Sequence, residues 1–214
     1  MITCYWAPRT RSGRMFWLLE EIGQPYQLQL VDIRSDPRPQ IPEFDAASPL
    51  RKVPAIRDGA VTVADSAAIA LYLGDRYASG TLAPAFDDPL RGEFLYWMFY
   101  VPSALEPAMI EKIAQLEPRP QVYAWGSFDR MIEAIEARLQ GRDWLVGEAF
   151  TLADLMVCSG LQAMANFRLL ELSETQSAYI KRCRARPAHV AAVTREGLET
   201  ARADGVEPSA TSPG

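Results

Sequence analysis

Ser48-Pro49-Leu50-Arg51-Lys52-Val53-Pro54-Ala55-Ile56 opens the stretch that decides the fold, and Ala64-Asp65-Ser66-Ala67-Ala68-Ile69 closes it. Between them, Asp58-Gly59 separates two apolar runs, Val53 to Ile56 and Ala60 to Val63. An Asp-Gly pair in that position signals a hairpin, because these residues suit turn positions with φ > 0. The second run should lead into a helix over Ser66 to Tyr77, with an acid and a hydroxyl at its start. Upstream, Ile2 to Trp6 reads as a buried strand. Met15, Leu18, Leu19 and Ile22 then share one helix face, stopped by Gly23. Tyr26, Leu28 and Leu30 alternate with Gln27 and Gln29 as a second strand. Pro37, Pro39 and Pro42 impose a loop, with at most a short helix around Glu43 to Ala47. This strand-helix-strand-strand-strand-helix order fits a small α/β sandwich. Right-handed crossovers would make the first three strands parallel and the hairpin strand antiparallel.

Beyond residue 78 no strand pattern occurs. Ser79 to Asp88 is small, polar and proline-containing, as a linker should be. Asp88-Pro89 reads as a helix start, with bends expected at Pro102 and Pro107 before about Gln115. Trp125, Phe128, Ile132, Ile135 and Leu139 mark an amphipathic helix ended by Gly141. Thr151-Leu152-Ala153-Asp154 and Ser173-Glu174-Thr175-Gln176 have capping-box spacing. Pro187 opens a last helix, and residues 205–214 are expected to form a disordered tail.

Composition narrows the chemistry. The 214 residues carry 22 Lys plus Arg against 27 Asp plus Glu, a net charge of −5, so no global attraction to nucleic acid or anionic membrane is expected. His189 is the single histidine, which excludes a His-rich metal site. The cysteines Cys4, Cys158 and Cys183 form no C-x-x-C pair, so neither a disulfide framework nor a structural zinc is expected. The opening residues lack a basic region followed by an apolar run, and no run approaches the roughly 20 residues of a membrane helix. A cytoplasmic protein with free thiols is the expectation.

Candidate chemistry lies in three segments. Ala7-Pro8-Arg9-Thr10-Arg11-Ser12-Gly13-Arg14 offers hydroxyls, guanidiniums and helix N-terminal amides, all suited to an anion, although Thr10 or Ser12 can equally serve as plain caps. Pro54 begins a strand, a position that often marks a turn. Asp65-Ser66 places an acid and a hydroxyl at a helix start, where the helix end can take a carboxylate and Asp65 an ammonium. A fourth segment, Trp144 to Asp154, reads as a structural turn and cap.

Taken in order, these segments resemble the cytosolic glutathione transferases, of bacterial type, from Ile2 to about Gly205. Leu18 to Tyr26 is similar to the first helix and second strand of bacterial members. Ser48 to Ile56 is similar to the family's NPxGKVPxL segment, with Arg51 where the motif has glycine. Asp65 to Ile69 is similar to its ESxAI segment, and Phe150 to Asp154 to its fTlAD box.

The resemblance implies an α/β thioredoxin-like domain followed by an all-α helical bundle: residues 1–78 for glutathione, a linker over 79–88, and 89–204 for the second substrate. It implies a homodimer, glutathione as co-substrate and no metal. By motif position, the main chain of Val53, before a Pro54 that is cis in the family, would pair with the cysteinyl unit. Ser66 would take the γ-glutamyl carboxylate, Asp65 would approach the ammonium and Lys52 the glycyl end. The thiolate would be held by one hydroxyl, of Ser12, Thr10 or Tyr5, helped by Arg11 or Arg14; the loop pair is favoured over Tyr5. Trp6, Trp97, Met98, Tyr100 and Met109 are candidates to line the second-substrate pocket. The implied activity is conjugation of glutathione to small electrophiles, as in detoxification. A glutathione-dependent isomerase, dehalogenase or lyase, or a non-catalytic binding dimer, stays open.

Overall fold

The computed structural model describes residues 1–206, so the expected tail lies almost wholly outside the described residues. The chain divides into two compact units, one of Met1–Ile69 with the segment from Arg186 onward, the other of Ala70–Ala185.

The first unit is built on a four-stranded sheet of β1 (Ile2–Trp6), β2 (Tyr26–Leu30), β3 (Ala55–Asp58) and β4 (Val61–Ala64) in the order β2-β1-β3-β4. β1 pairs parallel with β2 but antiparallel with β3, so the expectation of three parallel strands is corrected. Between β2 and β3 the chain forms only the six-residue α2 (Pro42–Ala47), and β3 runs back along β1 rather than completing a parallel crossover. The hairpin is also displaced by one residue from expectation. Asp58 pairs with Val61, leaving Gly59-Ala60 as the two-residue loop, and Gly59 takes the positive φ of 63°.

α1 (Gly13–Ile22) buries Met15, Phe16, Leu18 and Leu19 and ends at Gly23, whose φ of 68° is a left-handed cap. The last helix, α9 (Pro187–Ala203), packs against α1 in this unit. Arg186 makes two short bonds to Glu21, at 2.6 and 2.8 Å, and His189 lies edge-on to Trp17 at 4.8 Å. The lone histidine is thus part of a helix seam.

α3 (Ser66–Tyr77) starts beside β4 and continues into the second unit. That unit contains α4 (Arg91–Tyr100), a π-helical turn (Val101–Leu105), α5 (Glu106–Ile113), α6 (Phe128–Leu139), α7 (Leu152–Asn166) and α8 (Glu174–Arg184). The two expected bends are here: Pro102 lies in the π turn and Pro107 in the first turn of α5, where a missing N–H costs least. The core face of α6 is Phe128, Met131, Ile135 and Leu139, with Met131 replacing the expected Ile132. Both capping boxes form. Asp154 is fully buried and accepts from the Leu145 and Thr151 amides and the Thr151 and Tyr179 hydroxyls. Burial pushes its carboxyl up to about 6, against the pull of those four donors.

Candidate functional site

Strand register brings the three candidate segments of the first unit to one end of the sheet. Tyr5 of β1 stands opposite Ala55 of β3, and Ala55 opposite Ala64 of β4. The loop after β1, the segment before β3 and the junction after β4 therefore leave the sheet side by side. This is the carboxyl end of the first strand, where α/β sheets place ligands.

The loop after β1 is a compact hydrogen-bonded turn. Ser12 is fully buried; its Oγ accepts from the Ala7 amide at 3.1 Å and lies 3.0 Å from the Ala7 carbonyl. Thr10 Oγ1 lies 2.8 Å from the same carbonyl and 2.7 Å from Ser12 Oγ. Two hydroxyl protons serve three oxygen–oxygen contacts, so the pair can redirect one proton without losing the turn. Thr10 is half-buried and Arg11 is exposed. Ser12 makes no side-chain cap to α1, and no acid occupies the first turn of α1, so its N-terminal partial charge keeps no carboxylate of its own helix. Arg9, at a left-handed φ of 58°, pairs with Asp204 at 2.9 and 3.0 Å, and Arg34 donates to the Pro8 carbonyl at 2.8 Å. Gly13 permits a close approach, since a Cβ there would meet Glu196 Oε1 at 2.5 Å. Burial raises the Glu196 carboxyl.

Tyr5 takes the inward face of β1. It is fully buried with Val31, Phe44, Ala47 and Ala55, and its hydroxyl has no hydrogen-bond partner among the described residues. Burial raises its hydroxyl; Arg57 opposes and Glu43 reinforces the shift. Cys4 is buried and its thiol is pushed up to about 12, which removes it as a nucleophile. Trp6 is buried edge-on against Phe16.

Before β3, Ser48 Oγ closes a small loop, accepting from the Lys52 amide and donating to the Lys52 carbonyl. Lys52 itself is exposed. Arg51 adopts φ 51°, the left-handed geometry that favours glycine. Its guanidinium turns to Asp45 at 2.9 Å and the Pro39 carbonyl at 2.8 Å, so its charge is taken up locally. The Val53–Pro54 peptide is cis. Val53 is half-buried, and its main-chain groups have no partner among the described residues.

After β4, Asp65 takes φ 78°, strained for a non-glycine residue, and its carboxylate accepts from the amides of Ala67 and Ala68 at 2.9 and 3.3 Å. Ser66 is buried beside it. One oxygen of the Asp65 carboxylate, Oδ1, is thus spent on the α3 N-terminus.

The remaining candidate, Tyr100, lies in the second unit. It is buried, and its hydroxyl donates to the Met131 carbonyl at 2.8 Å. Sequence reasoning missed the left-handed residues Arg9 and Asp65 and the Glu196 carboxylate at Gly13; the helix-start glycine was the one visible hint of the last. Among the described residues no group of three His, Cys, Asp or Glu side chains could hold a metal ion, and no helix is long and apolar enough to cross a membrane.

Comparison with known proteins gives matches to two domain families: the glutathione S-transferase N-terminal domain over residues 10–76 and the glutathione S-transferase C-terminal domain over residues 95–187. The chain is 27% identical to the disulfide-bond oxidoreductase YfcG of Escherichia coli, over 95% of its own length and all of that protein. It is 30% identical to the glutathione S-transferase-like protein LUC7 of a Fusarium species, over 70% of this chain and 68% of that one. A solved glutathione S-transferase from Xylella fastidiosa matches with a TM-score of 0.74 at 25% identity, over 92% of this chain and 99% of its own.

Proposed function

Because the chain belongs to the glutathione S-transferase family, we propose that it binds glutathione at this sheet end and transfers the glutathione thiolate to small electrophiles. The observation that carries the reading is Val53. A half-buried main chain with free donor and acceptor, at the entry to β3, suits an extended peptide that adds strand-like hydrogen bonds. In this reading residues 1–78 hold glutathione and 89–204 supply the second-substrate pocket, with Trp6 and Tyr100 among its candidates. The protein works in the cytoplasm as a homodimer.

The residues divide the peptide's charges. Ser66 and the α3 N-terminus take the γ-glutamyl carboxylate, Asp65 faces the ammonium with the oxygen its cap leaves free, and Lys52 attracts the glycyl end. For the thiolate the hydroxyl pair forms a chain: Ala7 N–H to Ser12 Oγ, Ser12 O–H to Thr10 Oγ1, Thr10 O–H to sulfur. Thr10 is the terminal donor because it is half-buried whereas Ser12 is sealed. A thiol of ordinary pKa is only a few per cent thiolate at neutral pH, and lowering that pKa by about two units is worth roughly 2.7 kcal/mol. One hydroxyl bond plus the N-terminal partial charge of α1 is of that order. The thiolate attacks the electrophilic carbon, the sulfur–carbon bond forms and the leaving group departs with its electron pair. No imidazole takes part.

A second reading rests on the Escherichia coli relative, whose name is that of a disulfide-bond oxidoreductase. All three cysteines here are buried, so such chemistry would run on glutathione alone: two glutathione thiols are oxidised to one disulfide as a substrate disulfide is reduced to two thiols. Calorimetry with glutathione, then assays with an aromatic chloride and with a small disulfide, test both readings. Binding with conjugation supports the first. Binding with disulfide reduction alone supports the second, and binding without either points to the isomerase, dehalogenase or lyase branch. No binding at millimolar glutathione overturns the enzyme readings and favours a non-catalytic dimer.

A further inference from the structure

Two residues of the first unit break local rules, and they meet. Arg9, in the loop after β1, holds φ 58°, a left-handed geometry that suits glycine and strains an arginine. Asp204 is the C-cap of α9, where the negative end of the helix dipole disfavours a carboxylate. Their side chains join in a two-pronged pair, Nη1 to Oδ2 at 3.0 Å and Nη2 to Oδ1 at 2.9 Å. Each irregularity is compensated by the other. The hydrogen bonds from Arg9 hold the Asp204 carboxyl below its ordinary range, so the pair is charged at neutral pH.

Three further features set this pair apart from an incidental surface contact. First, α9 is fixed along α1 before it reaches the loop. Arg186 bonds Glu21, Arg195 lies 3.6 Å from Glu20, and Glu196 Oε1 lies so near Gly13 that a Cβ there would meet it at 2.5 Å. Asp204 is therefore presented by an anchored helix. Second, the loop has another outside anchor at the preceding residue, where the Arg34 guanidinium donates to the Pro8 carbonyl at 2.8 Å. Third, Arg9 immediately precedes Thr10, whose Oγ1 lies 2.7 Å from Ser12 Oγ and 2.8 Å from the Ala7 carbonyl. The backbone conformation of Arg9 thus sets where the chain delivers the Thr10 hydroxyl.

We propose that Asp204 is a positioning residue for the thiolate donor: from the end of α9 it holds Arg9 in its left-handed conformation and so keeps the Thr10 hydroxyl aimed at the glutathione sulfur. The proposal rests on the reading of Thr10 as that donor. Asp204 acts only through Arg9.

The test compares the pKa of bound glutathione, read from thiolate absorbance against pH, in full-length wild type, Asp204→Asn and Glu199→Gln. Glu199 pairs with Arg202 inside α9 and serves as the control for loss of an acid from that helix. Asp204→Asn should raise the thiol pKa by about half a unit, the scale an exposed pair can transmit, with glutathione still bound in calorimetry. Glu199→Gln should leave it unchanged. The side chains of Arg9 and Asp204 are 63% and 41% exposed, so the pair is open to screening. The difference between wild type and Asp204→Asn should therefore close in about 1 M salt. Arg9→Asp combined with Asp204→Arg should restore the wild-type value, since aspartate tolerates the left-handed geometry. An unchanged pKa in Asp204→Asn, with glutathione bound, overturns the proposal and leaves the transferase reading standing. An equal rise in Glu199→Gln, or a rise that the exchanged pair does not reverse, overturns it in the same way. Wild-type protein that binds no glutathione overturns both.

Discussion

Two corners of the molecule place a hydroxyl just before a helix, and they use it in opposite ways. Thr151 enters α7 with Asp154 three residues on, and every polar atom of that corner is matched inside a buried capping box. Thr10 and Ser12 enter α1 with no acid in the first turn and no side-chain cap, and their hydroxyls share two protons among three contacts. A saturated corner holds a fold together and has nothing left for a ligand. The α1 corner retains a movable proton and a helix start that Ser12 does not cap, at the cost of a weaker turn.

The largest test of this contrast is Asp154→Ala. It strands two buried amides and leaves the buried Tyr179 hydroxyl only the main-chain carbonyl of residue 154, so it should destabilise the protein by about 3 kcal/mol in urea unfolding. A loss under 1 kcal/mol would show that the α7 corner is not the structural one. Ser12→Ala should cost about 1–2 kcal/mol, because the Ala7 amide loses its buried acceptor.

Thr10→Val should change stability least of the hydroxyl deletions, yet raise the pKa of bound glutathione by about one unit or more, read from the thiolate absorbance against pH. If Thr10→Val and Ser12→Ala leave that value in place and Tyr5→Phe moves it, the donor is the buried tyrosine. The smallest effect is expected at Glu196. Burial holds its carboxyl above the ordinary value, so the protonated form is favoured in the fold. That contribution is present below about pH 4.5 and lost as pH rises through the raised value. Glu196→Gln should therefore be slightly more stable than wild type at pH 7, and the difference should vanish at pH 4 in thermal melts.

Much of the α/β unit was legible because local patterns and the fold agree. The alternation at Tyr26 to Leu30, the helix face Met15 to Ile22 and the Gly23 stop each match the observed element. Both capping boxes were readable for the same reason. The direction of β3 was not, because a short α2 does not state whether the chain crosses over or returns. The site was legible as segments, through motif order. Its internal state was not: Arg51 reads as a charge at a glycine position, and only the structure shows it adopting the glycine geometry while Asp45 takes its guanidinium.

The sequence by itself determined the family, the element order, and the placing of charged and hydroxyl residues in loops at strand and helix ends. Those depend on residue type and spacing along the chain. Tertiary structure alone decided which end of the sheet gathers residues 5–12, 51–54 and 65–66, and that Tyr5 is sealed in the core while Thr10 is half-open. It also decided that α9 packs against α1. Register and burial are set by contacts between residues far apart in sequence, and no local period encodes them.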